Sequence, residues 1–171
     1  RVRLLADSNT ASGRVLDSYL YWCSALRDSK PFRNPTDLTR WNLFIPFSKD
    51  DVDPETMYSY RPPAPPEYLK GFKALVRWAW SLKISDIDVM EEAYRKAVEE
   101  YKRLKEEFEV GDIPLVHNET PLNLLRIAAA YAVLQFNLVD GKVRVEASHV
   151  EEVAKDEASK YNQSSQISEG G

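Results

Sequence analysis

Hydrophobic positions recur every three or four residues along the second half of the chain, which is the spacing of helices with one buried face. Four such stretches can be separated: Tyr68 to Trp80, Asp88 to Phe108, Thr120 to Asn137, and a last one that opens at Ser148. Val143 and Val145 frame a short extended piece before the last helix. We therefore predict a four-helix bundle over residues 67–160.

Two of these helices begin with capping patterns. Thr120 followed by Pro121 has the order of an N-cap residue and a first-turn proline. Ser148 and Glu151 have the spacing of a capping box, which would leave His149 exposed in the first turn. Residues 161–171 are polar and are predicted to form a disordered tail.

The first 60 residues have a different pattern. A short apolar strand is predicted over the first residues and ends at the polar Asn9, and Leu38 to Phe47 is a second strand candidate, rich in β-forming residues. Two strands do not make a stable sheet alone, so this part would need further strands. Residues 61–66, RPPAPP, are predicted to form a stiff connector, because proline fixes φ. The fold class predicted is mostly α with a small α/β part.

Composition excludes several classes of function. The 171 residues carry 23 Lys+Arg against 27 Asp+Glu, a net charge of −4, which disfavours a protein that coats nucleic acid through a bulk basic surface. One cysteine and two histidines exclude a disulfide framework and a multi-cysteine or His-rich metal site, so no metal is predicted. No apolar stretch is long enough to span a bilayer and no signal peptide is visible, so we expect a cytoplasmic protein without a membrane partner.

The order of these elements resembles the second half of an AAA+ ATPase module over residues 1–160, most closely that of minichromosome maintenance (MCM) helicases. RVRLLADSN resembles the strand that ends in the sensor-1 asparagine, and DLTRWNLFIPFSKDDVDPE resembles the family's arginine-finger segment. LLRIAAAYAVLQFN and VRVEASHVEEV resemble the long helix and the final capped helix of the lid. The resemblance implies a partial AAA+ core with two strands over 1–60, followed by a helical lid domain over 67–160.

The same resemblance implies site residues. Asn9 would be sensor-1, positioning the attacking water near the γ-phosphate, and Arg40 would be a finger that stabilises the transferring phosphoryl group in a neighbouring subunit's site. The residues alone also allow Asn9 to be a turn residue, and Arg40 to pair with Asp37 at the surface. Arg14 and Arg126 are weaker candidates for nucleotide binding or the subunit interface.

Three features depart from the family's pattern. Trp41 and Asn42 stand where the family has Phe and Asp, and residues 118–123 hold no basic residue where the lid would supply its sensor-2 arginine. The chain also lacks a GxxxxGK[ST] loop, so it cannot hold the β- and γ-phosphates by the usual route. The resemblance therefore implies ATP and Mg²⁺ as cofactors of an intact parent and none for this chain alone. We expect a fragment whose first half lies upstream of Arg1.

The function that the resemblance implies is that of part of a hexameric ring that hydrolyses ATP and unwinds DNA during replication. Two other hypotheses rest on the residues alone, without the resemblance. The bundle could be a non-catalytic protein-interaction domain, or the chain could be a DNA-binding adaptor that uses Arg27, Lys30, Arg33 and Arg40. Trp78 and Trp80 are predicted to lie in the core rather than to stack on bases. Glu99 and Glu100, set among Lys and Arg, are predicted to be solvated.

Overall fold

A computed structural model describes residues 12–13, 53–59, 62–108 and 116–162 of the chain. The two strands predicted in the first 60 residues lie outside these ranges, as do Asn9, Arg14 and Arg40. Within the ranges the protein is mostly helical, with one small sheet of three strands, which agrees with the predicted fold class at that level. No helix in this part of the chain is both long and apolar enough to cross a bilayer.

The first described helix is α1, Pro54–Tyr58. Asp53 caps it, because its Oδ1 accepts a hydrogen bond from the Glu55 N–H at 3.0 Å and its Oδ2 accepts one from the Thr56 hydroxyl at 2.6 Å. These bonds stabilise the carboxylate and hold the pKa of Asp53 below its usual value.

The second helix, α2, is Pro66–Ser81, and it confirms the helix predicted from Tyr68 to Trp80. Pro66 opens it at a position where the missing proline N–H costs nothing. None of its residues is fully buried; Leu75, Trp78 and Ala79 are partly buried against the core. Trp80 is 65% exposed, so its predicted core position is wrong, whereas Trp78 does pack on the core.

The remaining elements are a 3₁₀ turn Ile84–Asp86, β1 Ile87–Val89, α3 Glu91–Phe108, α4 Thr120–Leu134, β2 Leu138–Val139, β3 Lys142–Val145 and α5 Ala147–Asn162. All four predicted helices of the bundle are therefore present. The helix predicted from Asp88 begins three residues later, because Ile87–Val89 pair as a strand. The last helix extends two residues beyond the predicted end of the bundle at 160.

The sheet has the order β1-β3-β2. β1 runs parallel to β3 with Ile87 opposite Val143, and β2 runs antiparallel to β3 with Leu138 opposite Val143. Asp140 and Gly141 close the β2–β3 hairpin with φ of 51° and 76°, the left-handed backbone that a tight hairpin turn requires.

The core lies between α3, α4, α5 and the inner face of the sheet. Alternation along β3 turns two valines inward, and small residues on the helices let their backbones approach closely. Among the described residues, the hydrophobic ones with no exposed surface are Ala93, Ala97, Ala128, Ala132, Val143, Val145, Val150 and Ala154.

Candidate functional site

Of the four predicted site residues, only Arg126 lies in the part of the chain that the structure describes. It is exposed on the second turn of α4, and its Nη1 donates a hydrogen bond to Asn123 Oδ1 at 3.1 Å. Asn123 is buried one turn earlier on the same helix. The contact that the structure gives Arg126 is therefore local to α4.

The loop before α4 is closed by His117. Its N–H donates to Thr120 Oγ1 at 2.9 Å, its carbonyl accepts from the Thr120 N–H at 2.9 Å, and its Nδ1 accepts from the Glu119 N–H at 3.2 Å. An imidazole that accepts at Nδ1 is neutral. Burial lowers the pKa of His117, and the Glu119 carboxylate opposes this only in part.

The prediction that Thr120 is the N-cap of α4 is wrong by one residue. Glu119 holds the N-cap position and makes no side-chain capping bond, while Thr120 is the first helical residue. Its hydroxyl is engaged by the backbone of His117 instead. Pro121 stands in the first turn as predicted.

His149 closes the start of α5, where the sequence had suggested Ser148 and Glu151. The Glu146 N–H donates to His149 Nδ1 at 3.0 Å, and the His149 N–H donates back to the Glu146 carbonyl at 3.2 Å. The prediction that His149 is exposed is wrong, because only 4% of its surface is accessible. Its ring meets Tyr131 of α4 edge-on, with ring centres 6.2 Å apart, so it joins α4 to α5.

A cluster of charges links α3 to α5. Lys96 Nζ lies 3.2 Å from Glu99, 3.3 Å from Glu100 and 3.1 Å from Glu151, and the bond to Glu151 is the main reason that the pKa of Lys96 is raised. Glu100 is buried and also accepts a hydrogen bond from Arg103 Nε at 2.8 Å, so the prediction that it is solvated is wrong. Each carboxylate of this cluster contacts Lys96 or Arg103. The cluster is therefore a cross-link between helices rather than a site with a reactive acid.

The outward side of α2 carries three cations, which we call the α2 basic stripe: Lys70, Lys73 and Arg77. Intervals of three and four residues place them on one side of the helix, and all three are exposed. Among the described residues, none of the three forms an ion pair. Trp80, three residues after Arg77, lies on the same side.

On the opposite side of the helix from this stripe, α2 forms an apolar groove with the residues that follow α4. The groove encloses about 550 Å³ and is lined by Glu67, Tyr68, Gly71, Phe72, Leu75 and Phe136. At its end the rings of Trp78 and Phe136 stack with centres 5.7 Å apart and planes inclined by 9°. This stack holds α2 to the bundle.

Within the described ranges, no group of three or more His, Cys, Asp or Glu side chains could hold a metal ion. Comparisons with protein-family models, with curated proteins and with solved structures find no significant match.

Sequence reasoning missed the α2 basic stripe, although its signal is present. Lys70, Lys73 and Arg77 fall at i, i+3 and i+7 of a helix that was predicted correctly. The low acidic content of α2, with Glu67 alone, is the feature that distinguishes this stripe from the paired charges of α3.

Proposed function

We propose that this chain is the C-terminal portion of an MCM-like AAA+ ATPase that powers a DNA helicase. Residues 1–60 would end the ATP-binding core, and α2 to α5 would form the lid. The observation that supports this most is the arrangement of the two segments that resemble the family's lid. The first forms α4, packed against α3, α5 and β3, and the second forms β3 followed directly by the capped helix α5.

In this proposal Asn9 acts within its own subunit and Arg40 acts on the neighbour's site in a ring, which we take to be a hexamer. ATP and Mg²⁺ would be held by a phosphate-binding loop upstream of Arg1. Arg14 and Arg126 stay secondary candidates for the subunit interface, and the bond from Arg126 to Asn123 supports a structural role for Arg126 as well.

Mixing two inactive variants tests the proposal in the polypeptide that includes the upstream part. Asn9→Ala and Arg40→Ala should each lower ATP hydrolysis by about 10²-fold or more. Equal mixtures should recover part of the activity, because some interfaces then combine Asn9 of one subunit with Arg40 of its neighbour. An upstream sequence without a P-loop, or mixtures as inactive as the separate variants, would contradict the proposal.

A second candidate is a non-catalytic domain that binds a protein partner through its helices. The apolar groove between α2 and Phe136 favours it, because Tyr68 and Phe72 remain well exposed there. Phe72→Glu would then abolish partner binding while leaving ATP hydrolysis by the intact polypeptide unchanged. Loss of hydrolysis in that variant would favour the first candidate.

A further inference from the structure

We propose that the outward side of α2 binds single-stranded nucleic acid, with Lys70, Lys73 and Arg77 on backbone phosphates and Trp80 stacked on a base. This surface adds a nucleic-acid contact to the proposed function and does not depend on Asn9 or Arg40.

The charge of this surface is the first reason. Lys70 and Arg77 are separated by about 10 Å along the helix axis, with Lys73 between them, so the stripe can follow a strand over several phosphates. Four cations of α3 and α5, namely Arg95, Lys96, Arg103 and Lys155, each pair with a carboxylate. The α2 basic stripe is therefore a local attraction for a polyanion on a protein of net charge −4.

The exposed indole is the second reason, and it selects the kind of polyanion. Trp80 lies at i+7 from Lys73 and i+3 from Arg77, and 65% of its surface is accessible. An aromatic ring beside a line of cations is the arrangement that binds single strands, since each unpaired base offers a face for stacking. The bases of a duplex already stack on each other, so a duplex would use the cations but not the ring.

Packing of α2 argues against an anionic membrane as the partner. A basic helix on a bilayer buries its apolar side in the lipid. On α2 that side holds Leu75, Trp78 and Ala79, which already pack against the core, and Trp78 is stacked on Phe136. The exposed side is the one that carries the cations and Trp80.

The test measures binding of the full chain to a fluorescein-labelled twenty-residue oligothymidylate by fluorescence anisotropy over a range of salt concentrations. Lys70→Gln, Lys73→Gln and Arg77→Gln combined should weaken binding at least about tenfold at 0.1 M salt. The slope of log K against log salt should become shallower by about 2, because three phosphate contacts are lost.

The matched control changes the same total charge on α3 and α5, in the combined variant Arg95→Gln, Lys102→Gln and Lys155→Gln. These side chains are exposed, so both triple variants should fold, which circular dichroism will verify. We expect the control to keep the wild-type salt slope. Equal losses in the two variants would show that only net charge matters and would overturn the proposal.

Substitution of Trp80 tests stacking separately. Trp80→Ala should weaken binding about fivefold or more with little change in salt slope, while Trp80→Phe, which keeps an aromatic face, should retain most of it. Equal binding by Trp80→Ala and the wild type would remove the base contact and overturn the proposal.

Competitors identify the partner class. An unlabelled single strand should displace the probe, whereas a duplex of the same length, polyglutamate and phosphatidylserine vesicles should compete at least tenfold less well. Equal competition by any of these three, or no binding of the probe by the wild type, would overturn the proposal. Asn9→Ala with Arg40→Ala should bind like the wild type, so this result is independent of the outcome for ATP hydrolysis.

Discussion

At the scale of single residues, the two histidines accept the hydrogen bonds at helix starts that sequence patterns assign to Ser, Thr and Glu. Each accepts a backbone N–H at Nδ1 at the start of a helix, His117 before α4 and His149 in α5. In a capping box the third helical residue, usually Glu, returns a bond to the N-cap N–H. His149 makes that return bond from a buried ring.

His149→Ala is expected to lower the free energy of unfolding by about 2 kcal/mol, since the helix start loses its acceptor and the core loses the ring against Tyr131. His149→Gln, which keeps an acceptor, should lose less. Ser148→Ala should change stability by under about 0.5 kcal/mol. Urea denaturation measures all three, and a larger loss for Ser148→Ala than for His149→Ala would contradict this assignment of the cap.

Burial of His117 predicts a dependence of stability on pH. Its pKa is lowered in the folded state, so the unfolded chain binds a proton more readily. The contribution to stability should be complete above about pH 7.5 and should decline as the pH falls below about 6.5, the ordinary value for histidine.

His117→Gln should remove this part of the pH dependence, because glutamine does not titrate. The free energy of unfolding of both proteins, measured from pH 8 to pH 5, should show a steeper decline for the wild type. Parallel curves would mean that His117 takes up protons equally in the folded and unfolded states.

These residues also show where local sequence patterns stop being informative. The start of α4 was predicted within one residue and that of α5 within two, because proline marks the first and polar residues mark both. The side chain that makes each bond was not predicted. That choice depends on burial against another helix, as with His149 on Tyr131, which no spacing along the chain reveals.

At the scale of elements, close packing of α3, α4 and α5 depends on alanine. Ala128 of α4 has no exposed surface, whereas Ala130, two residues later, is exposed. Ala128→Leu should destabilise the protein by about 1–3 kcal/mol, because the added volume forces the helices apart. Ala130→Leu should stay within about 0.5 kcal/mol. Thermal or urea denaturation compares them, and equal effects would contradict the observed orientation of α4.

The helices were predictable from periodicity, but the sheet was not. β1 and β2 have three and two residues, too short for an alternating pattern to be distinguished from a loop. Their partner β3 was expected only as an isolated extended piece. Pairing of Asp88 with Arg144 joins residues 56 positions apart, and such contacts depend on how α3 and α4 pack between them.

At the scale of the whole molecule, the buried hydrophobic residues in the described part of the chain lie between Ala93 and Ala158. We therefore expect residues 62–162 to fold without the first 61. That fragment should show helical circular dichroism and a cooperative thermal transition, whereas residues 62–145, which lack α5, should not. A fragment 62–162 without a cooperative transition would show that the first part of the chain completes the core.

The functional prediction also differs between the first 60 residues and the helical part of the chain. The helical half was predicted well because its pattern is local and repeated. Asn9, Arg14 and Arg40 lie in the half that the sequence could place only by resemblance, and they fall outside the described residues. The spacing of the α2 basic stripe is visible in the sequence, but the structure was needed to show that its three cations are exposed and form no ion pair among the described residues.

The absence of any fully buried residue in α2 has a consequence for its dynamics. Local opening costs least where few apolar contacts are broken, so amide hydrogens in the middle of α2 should exchange with solvent at least about 100-fold faster than those around Ala128. Exchange as slow as in α4 would show that α2 opens only with the whole bundle. With fast exchange, α2 is a separately opening unit, and any ligand that holds it in place will slow its exchange without changing the rest of the protein.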